Sequence, residues 1–123
     1  MKPGLTGINR VSKATVNSLR GIRDTFKYEA AFRQELALSI FLLPVSFWLA
    51  QTVIEWLLLI TPLFVLIIVE LLNSAIENTV DRIGTELHTL SGRAKDIASA
   101  AVMFTLIFLA VVWLSVAWSR FYG

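Results

Sequence analysis

Four polar side chains line one face of an otherwise apolar stretch. On an α-helix of 3.6 residues per turn, Glu70, Ser74, Glu77 and Asp81 fall within about 60° of one another, with Asn73 flanking them. At a rise of about 1.5 Å per residue, Glu70 and Glu77 are separated in depth by roughly 10 Å. Burying a carboxylate costs several kcal/mol unless it is paired, metal-bound or protonated, so an acid inside a membrane span is by default a functional group. The plainer reading makes Glu70 and Asn73 interhelical hydrogen-bonding glue, worth about 0.6 to 2 kcal/mol per contact. Further charges gather at the same end: Glu29 precedes the first apolar run, and Lys95 and Asp96 precede the last. Glu29 and Glu77 together can hold a divalent cation whose octahedron is completed by waters and phosphate oxygens, a pattern typical of Mg²⁺ with a nucleotide. Lys95, with Arg10 as a second candidate, can neutralise phosphate. Each surface charge also has a plain reading as a solvated or snorkelling side chain, and for Arg20, Arg82 and Arg93 nothing improves on it. From pattern alone Asp24 and Glu35 carry no assignment.

The elements that must position these groups follow from composition. Of 123 residues, 56% are hydrophobic and 16% charged, and the apolar ones are collected into long blocks, as in a membrane protein. The blocks are Leu36 to Ala50, Trp56 to Val69 and Ile97 to Trp118. The second reaches spanning length only by carrying Glu70 within its helix, whereas the third alone crosses a hydrocarbon core of about 30 Å. The expectation is an all-α membrane protein, a single domain over 1–123, with spans at about 30–50, 54–80 and 91–119.

Seven of the eleven Lys and Arg residues lie at or before Arg33, and the net charge is +2. The 51–55 link carries no Lys or Arg, whereas the 82–96 link carries Arg82, Arg93 and Lys95. Positive-inside reasoning places the N-terminus in the cytoplasm and, with three spans, the C-terminus outside. No cleavable signal is expected, because the first apolar run begins only at residue 36. Ile8, Val11, Thr15, Leu19, Ile22 and Phe26 recur at spacings of three and four, opposite Arg10, Lys13, Arg20, Arg23 and Lys27. That pattern predicts an amphipathic helix over 8–27 in the cytoplasmic interface, a mere anchor on the plainer reading. Trp48, Trp56, Trp113 and Trp118 fall near span ends and read as interface anchors.

With no cysteine there are no disulfides, cysteine–zinc sites or thiol nucleophiles, and the single histidine, His88, leaves no His–His metal site. The six glycines form neither a G-x-x-x-x-G-K-[ST] nor a G-x-G-x-x-G loop, and no G-x-S-x-G or H-E-x-x-H occurs. Soluble kinase, hydrolase and zincin chemistries are thus not indicated, and no nucleic-acid partner is expected.

The string ELLNSAIENTVD, Glu70 to Asp81, resembles the E-x-[hydrophobic]-N-[ST]-A-[hydrophobic]-E-x-x-V-D signature of the bacterial integral-membrane diacylglycerol kinases. EAAFRQE, from Glu29 to Glu35, and LSGRAKD, from Leu90 to Asp96, resemble the same family. The resemblance implies a homotrimer of three-span subunits with an N-terminal surface helix, in the bacterial inner membrane, phosphorylating diacylglycerol with MgATP. It implies that Glu70 is the general base, that Asn73 acts beside it, and that Glu29 and Glu77 are the ligands of Mg²⁺ bound with ATP. It further implies nucleotide contacts at Arg10, Glu86, His88, Lys95 and Asp96. Lipid contacts are implied at Arg10, Ala31, Phe32, Arg33, Gln34, Glu35, Trp48, Glu70, Ser99 and Trp113.

Independently of the resemblance, three thin spans leave the polar stripe facing lipid unless other subunits cover it, so an obligate oligomer is expected. Ser91, Ala94, Ala98 and Ala101, three and four apart, permit close helix packing. Two alternatives stay open. A polyprenol-specific relative, an undecaprenol kinase, shares the signature and differs only in the membrane alcohol. A proton- or ion-conducting oligomer can use Glu70 as its in-membrane carboxylate, but leaves the rim charges idle.

Overall fold

A computed structural model describes residues 6–84 and 88–123 and contains four helices. They are α1 (Gly7–Tyr28), α2 (Ala30–Leu49), α3 (Val53–Ile83) and α4 (Thr89–Tyr122). The last three are long and apolar enough to cross a membrane. With 31 and 34 residues, α3 and α4 extend about 46 and 51 Å. Both overrun a hydrocarbon core of about 30 Å, so each carries a polar end clear of its apolar stretch.

The joints between helices are short and specifically capped. Glu29 alone separates α1 from α2: its extended backbone stops the first helix, its N–H donates to Thr25 O at 2.9 Å, and its carbonyl accepts from Arg33 N at 3.3 Å. Between α2 and α3, Thr52 Oγ1 accepts from Glu55 N at 3.1 Å while Glu55 Oε1 accepts from Gln51 N at 2.9 Å. The Thr52 bond satisfies an N–H that a helix start otherwise leaves bare, and the Glu55 bond fixes the residue just before the cap. At the start of α4, His88 Nδ1 accepts from Leu90 N at 3.0 Å.

α3 is the central element, packed mainly against α4 and next against α2. The apolar core, Leu49, Leu59, Leu63, Trp113 and Val116, sits at the end of the bundle nearest the α2–α3 turn. Trp113 is buried there and donates through Nε1 to Leu59 O at 3.0 Å, tying α4 to α3 across 54 positions. Pro62 lies one turn along and lacks the N–H that would pair with the Leu58 carbonyl, the one next to the carbonyl that Trp113 takes. Trp56 Nε1 donates to Ser46 Oγ at 3.1 Å, closing α2 onto α3. Trp48 and Trp118 are exposed. Trp113 and Trp56 depart from the interface-anchor reading, because each spends its indole N–H inside the bundle.

α1 buries no residue, and Ile8, Val11, Leu19, Ile22 and Phe26 remain exposed along it. Its anchorage is local. Arg33 Nη1 reaches back from α2 to the α1 carbonyls of Phe26 at 2.7 Å and Lys27 at 3.1 Å.

Candidate active site

α3 carries a ladder of three polar residues at the end of the bundle opposite the apolar core. Asn73 Nδ2 donates to Glu70 Oε1 at 3.4 Å and to Glu77 Oε1 at 3.2 Å. One amide has two N–H hydrogens and no other residue type of this size offers two donors from one atom, so Asn73 ties both carboxylates into a fixed spacing. Glu70 is only 3% exposed, and Ser74 is buried beside it.

From α2, the Glu35 carboxyl comes within hydrogen-bonding reach of Glu70. Glu35 Oε2, Glu70 Oε2 and Ser74 Oγ are buried with no hydrogen-bond partner among the described residues. Buried polar atoms left unpaired are rare in folded proteins, and a cluster of three is suited to receiving a polar group from outside the chain. The covering of Glu70 and Ser74 by this chain's own helices corrects the expectation that other subunits must shield the whole stripe; Asp81, further along, is exposed.

Glu77 marks the open end of the ladder and is half-buried. Glu29, Lys95, Glu70 and Asp81 are the charged groups that act on it. Lys95 Nζ lies 2.7 Å from Asp81 Oδ1, joining α4 to α3. Among the described residues no three His, Asp or Glu side chains converge as a metal cage. Glu29 acts on Glu77 electrostatically from the α1–α2 joint, and carboxylates are the donor type that suits a hard cation arriving with phosphate oxygens and water.

Two grooves adjoin the ladder. One of roughly 530 Å³ lies between α1 and α3, lined by Gly21, Thr25, Glu29, Leu71, Ser74 and Asn78 among others, and so connects the helix joint to the buried Ser74. The other, roughly 520 Å³ and apolar, lies between α3 and α4, where Ala94, Ala98 and Ala101 face Val69, Leu72 and Asn73. Three of the small residues noted in the sequence, Ala94, Ala98 and Ala101, thus line a groove on the α4 side of the ladder.

The structure therefore gathers Glu70, Asn73, Glu77, Glu35, Glu29 and Lys95 at one end. Phe32 is fully buried, Arg33 braces α1, and Ala31, Gln34, Asp96, Ser99 and Arg10 are exposed or partly so. His88 caps α4. Glu86 lies outside the described residues. Trp113 is in the core at the far end, packed near Leu59, which is about 16 Å along α3 from Glu70. Trp48 is also remote from the ladder, under the Arg120 guanidinium at 5.9 Å. Pattern reasoning missed the Glu35–Glu70 approach and the Asp81–Lys95 pair, both of which join different helices.

Residues 16–117 match the model of the family described as prokaryotic diacylglycerol kinase. The chain belongs to that family. It is 45% identical over 121 residues to a diacylglycerol kinase of Escherichia coli K12, covering 98% of this chain and 99% of the relative. It is 47% identical over 108 residues to a diacylglycerol kinase of Haemophilus influenzae, covering 88% and 92%. A diacylglycerol kinase of Pseudomonas aeruginosa is 46% identical over 113 residues, 92% of each chain. As a member of the prokaryotic diacylglycerol kinase family, the chain is a kinase with membrane-spanning helices, an enzyme of lipid metabolism.

Proposed function

We propose that this chain transfers the γ-phosphoryl group of ATP to the free hydroxyl of diacylglycerol, giving phosphatidic acid at the cytoplasmic face of the bacterial inner membrane. The observation that carries this reading is the two-tier ladder: a buried carboxylate, Glu70, spaced by Asn73 from a rim carboxylate, Glu77, that shares its surroundings with Glu29 and Lys95. A lipid alcohol reaches the inner tier from the bilayer, and a nucleotide reaches the outer tier from the cytosol. Names of the relatives supply the acceptor.

Phosphoryl transfer asks mainly for positioning and charge neutralisation. Glu70 accepts the hydroxyl proton as the acceptor oxygen bonds to the γ-phosphorus and the bond to the β-phosphate bridging oxygen breaks, releasing ADP. Glu35, facing Glu70 with a buried unpaired oxygen, orients that hydroxyl between the two carboxyls. Glu29 and Glu77 would hold Mg²⁺, which would supply positive charge to offset that of the phosphates. Lys95 neutralises phosphate charge, and Arg10, Glu86, His88 and Asp96 extend the nucleotide site. Ser99 and the 31–35 stretch border the lipid. α1 lies in the interface with its unpartnered apolar face in lipid, its basic face towards headgroup phosphates, and the N-terminus inside. The chain works as a homotrimer, in which large exposed side chains such as Ile97 and Phe104 meet other subunits or lipid.

The test is transfer of labelled γ-phosphate by purified protein in mixed micelles offering diacylglycerol and undecaprenol side by side. Labelled phosphatidic acid is expected. Undecaprenyl phosphate alone would reassign the acceptor, and transfer to neither would contradict the reading.

A further inference from the structure

Lys95 extends from α4 towards two acids one turn apart on α3, Glu77 and Asp81. Its ammonium sits 2.7 Å from Asp81 Oδ1 and makes no ion pair with Glu77. Nothing in the proposed chemistry uses Asp81, although it closes the acidic stripe.

We propose that Asp81 is a positioning residue that holds Lys95 off Glu77, keeping the Glu77 carboxylate open to the nucleotide's cation and the ammonium presented to its phosphates. The inference rests on the assignment of Glu77 and Lys95 made above. A cation site built from only two carboxylates cannot spare one to a lysine, and an unrestrained ammonium on a flexible four-carbon stem would take the nearer anion. With 60% of its side chain exposed, Asp81 is the acid that solvent already attenuates, and Glu77 is the one more enclosed. Without Asp81, Lys95 would therefore turn inward to Glu77 and act as an internal competitor for the metal. A mere surface ion pair between helices would have no such consequence.

The test compares Asp81→Asn, Asp81→Glu and Glu77→Gln by equilibrium binding of Mn²⁺ with a non-hydrolysable ATP analogue, read by electron paramagnetic resonance, alongside kinetics. Outer-shell partners of a metal site alter its affinity by about 10- to 100-fold, so D81N should weaken Mn²⁺–analogue binding and raise the MgATP KM on that scale. D81E, which restores the charge, should recover most of the binding, and the unfolding midpoint of D81N should stay near wild type. If E77Q weakens binding while D81N matches wild type, the proposal fails and the Glu77 assignment stands. If neither variant weakens binding, both fall. Should D81N not assemble, Asp81→Ser replaces it on the same exposed helix face, with the same result expected.

Discussion

Replacing Glu70 by glutamine separates base catalysis from everything else at the site. The side-chain amide of E70Q retains an Oε1 that can accept from Asn73 Nδ2, so the ladder stays tied. The substitution also removes a potential charge from a position that is 3% exposed, where a carboxylate is costly to keep, so the variant should be at least as stable as the parent. Positioned proton transfer is worth about 10²- to 10⁴-fold, or roughly 2.7 to 5.5 kcal/mol of barrier. The effect on the outer tier is smaller. At about 10 Å and an effective dielectric near 20, the loss of one charge changes the energy of a unit charge by about 1.7 kcal/mol. The cation arrives with oppositely charged phosphates, which offset that change, so the MgATP KM should move by only a few-fold. The assay is steady-state kinetics in mixed micelles with both substrates varied, and thermal unfolding of the same preparation. A kcat within about tenfold of wild type in a folded E70Q would refute the base assignment.

Other substitutions probe different parts of the account. Glu77→Gln should raise the Mg²⁺ and MgATP concentrations needed for half-maximal rate by about tenfold or more, and an unchanged magnesium dependence would remove Glu77 from the metal site. Asn73→Ala deletes both ladder hydrogen bonds and should lower kcat by about 10- to 100-fold, with Asn73→Asp no better because it adds a third acid and loses the donors. Trp113→Phe deletes the bond to Leu59 O and should cost about 1 to 3 kcal/mol of stability while leaving the kinetics of the folded enzyme near wild type; a change in lipid KM would return Trp113 to the acceptor site. Arg33→Gln frees the last α1 carbonyls, so hydrogen exchange should accelerate across the end of α1 and not in α3.

Most of the ladder was legible in the chain because it lies on one helix. A period of 3.6 puts Glu70, Ser74 and Glu77 on a common face, and Asn73 beside them, without reference to any other element. The number of spanning helices was readable for a similar reason, since length and apolarity are local properties. What escaped joins different helices. Glu35 carries no periodic signal that ties it to Glu70, and only the packing of α2 on α3 brings the carboxyls together. Asp81 and Lys95 are separated by the turn from α3 to α4, so spacing could place both at the rim but not pair them. Trp113 misled because a tryptophan near a span end has two uses, an anchor at the headgroups or a buried donor. The choice depends on whether a carbonyl waits opposite, and that of Leu59 on α3 does.

The two-tier site is tested most directly by an experimental structure of the protein with a non-hydrolysable ATP analogue, Mg²⁺ and diacylglycerol. The account requires the cation against the carboxylates of Glu29 and Glu77 and the acceptor hydroxyl within hydrogen-bonding reach of Glu70. A cation seated on Glu70, or an acceptor bound away from the buried end of the ladder, would contradict it.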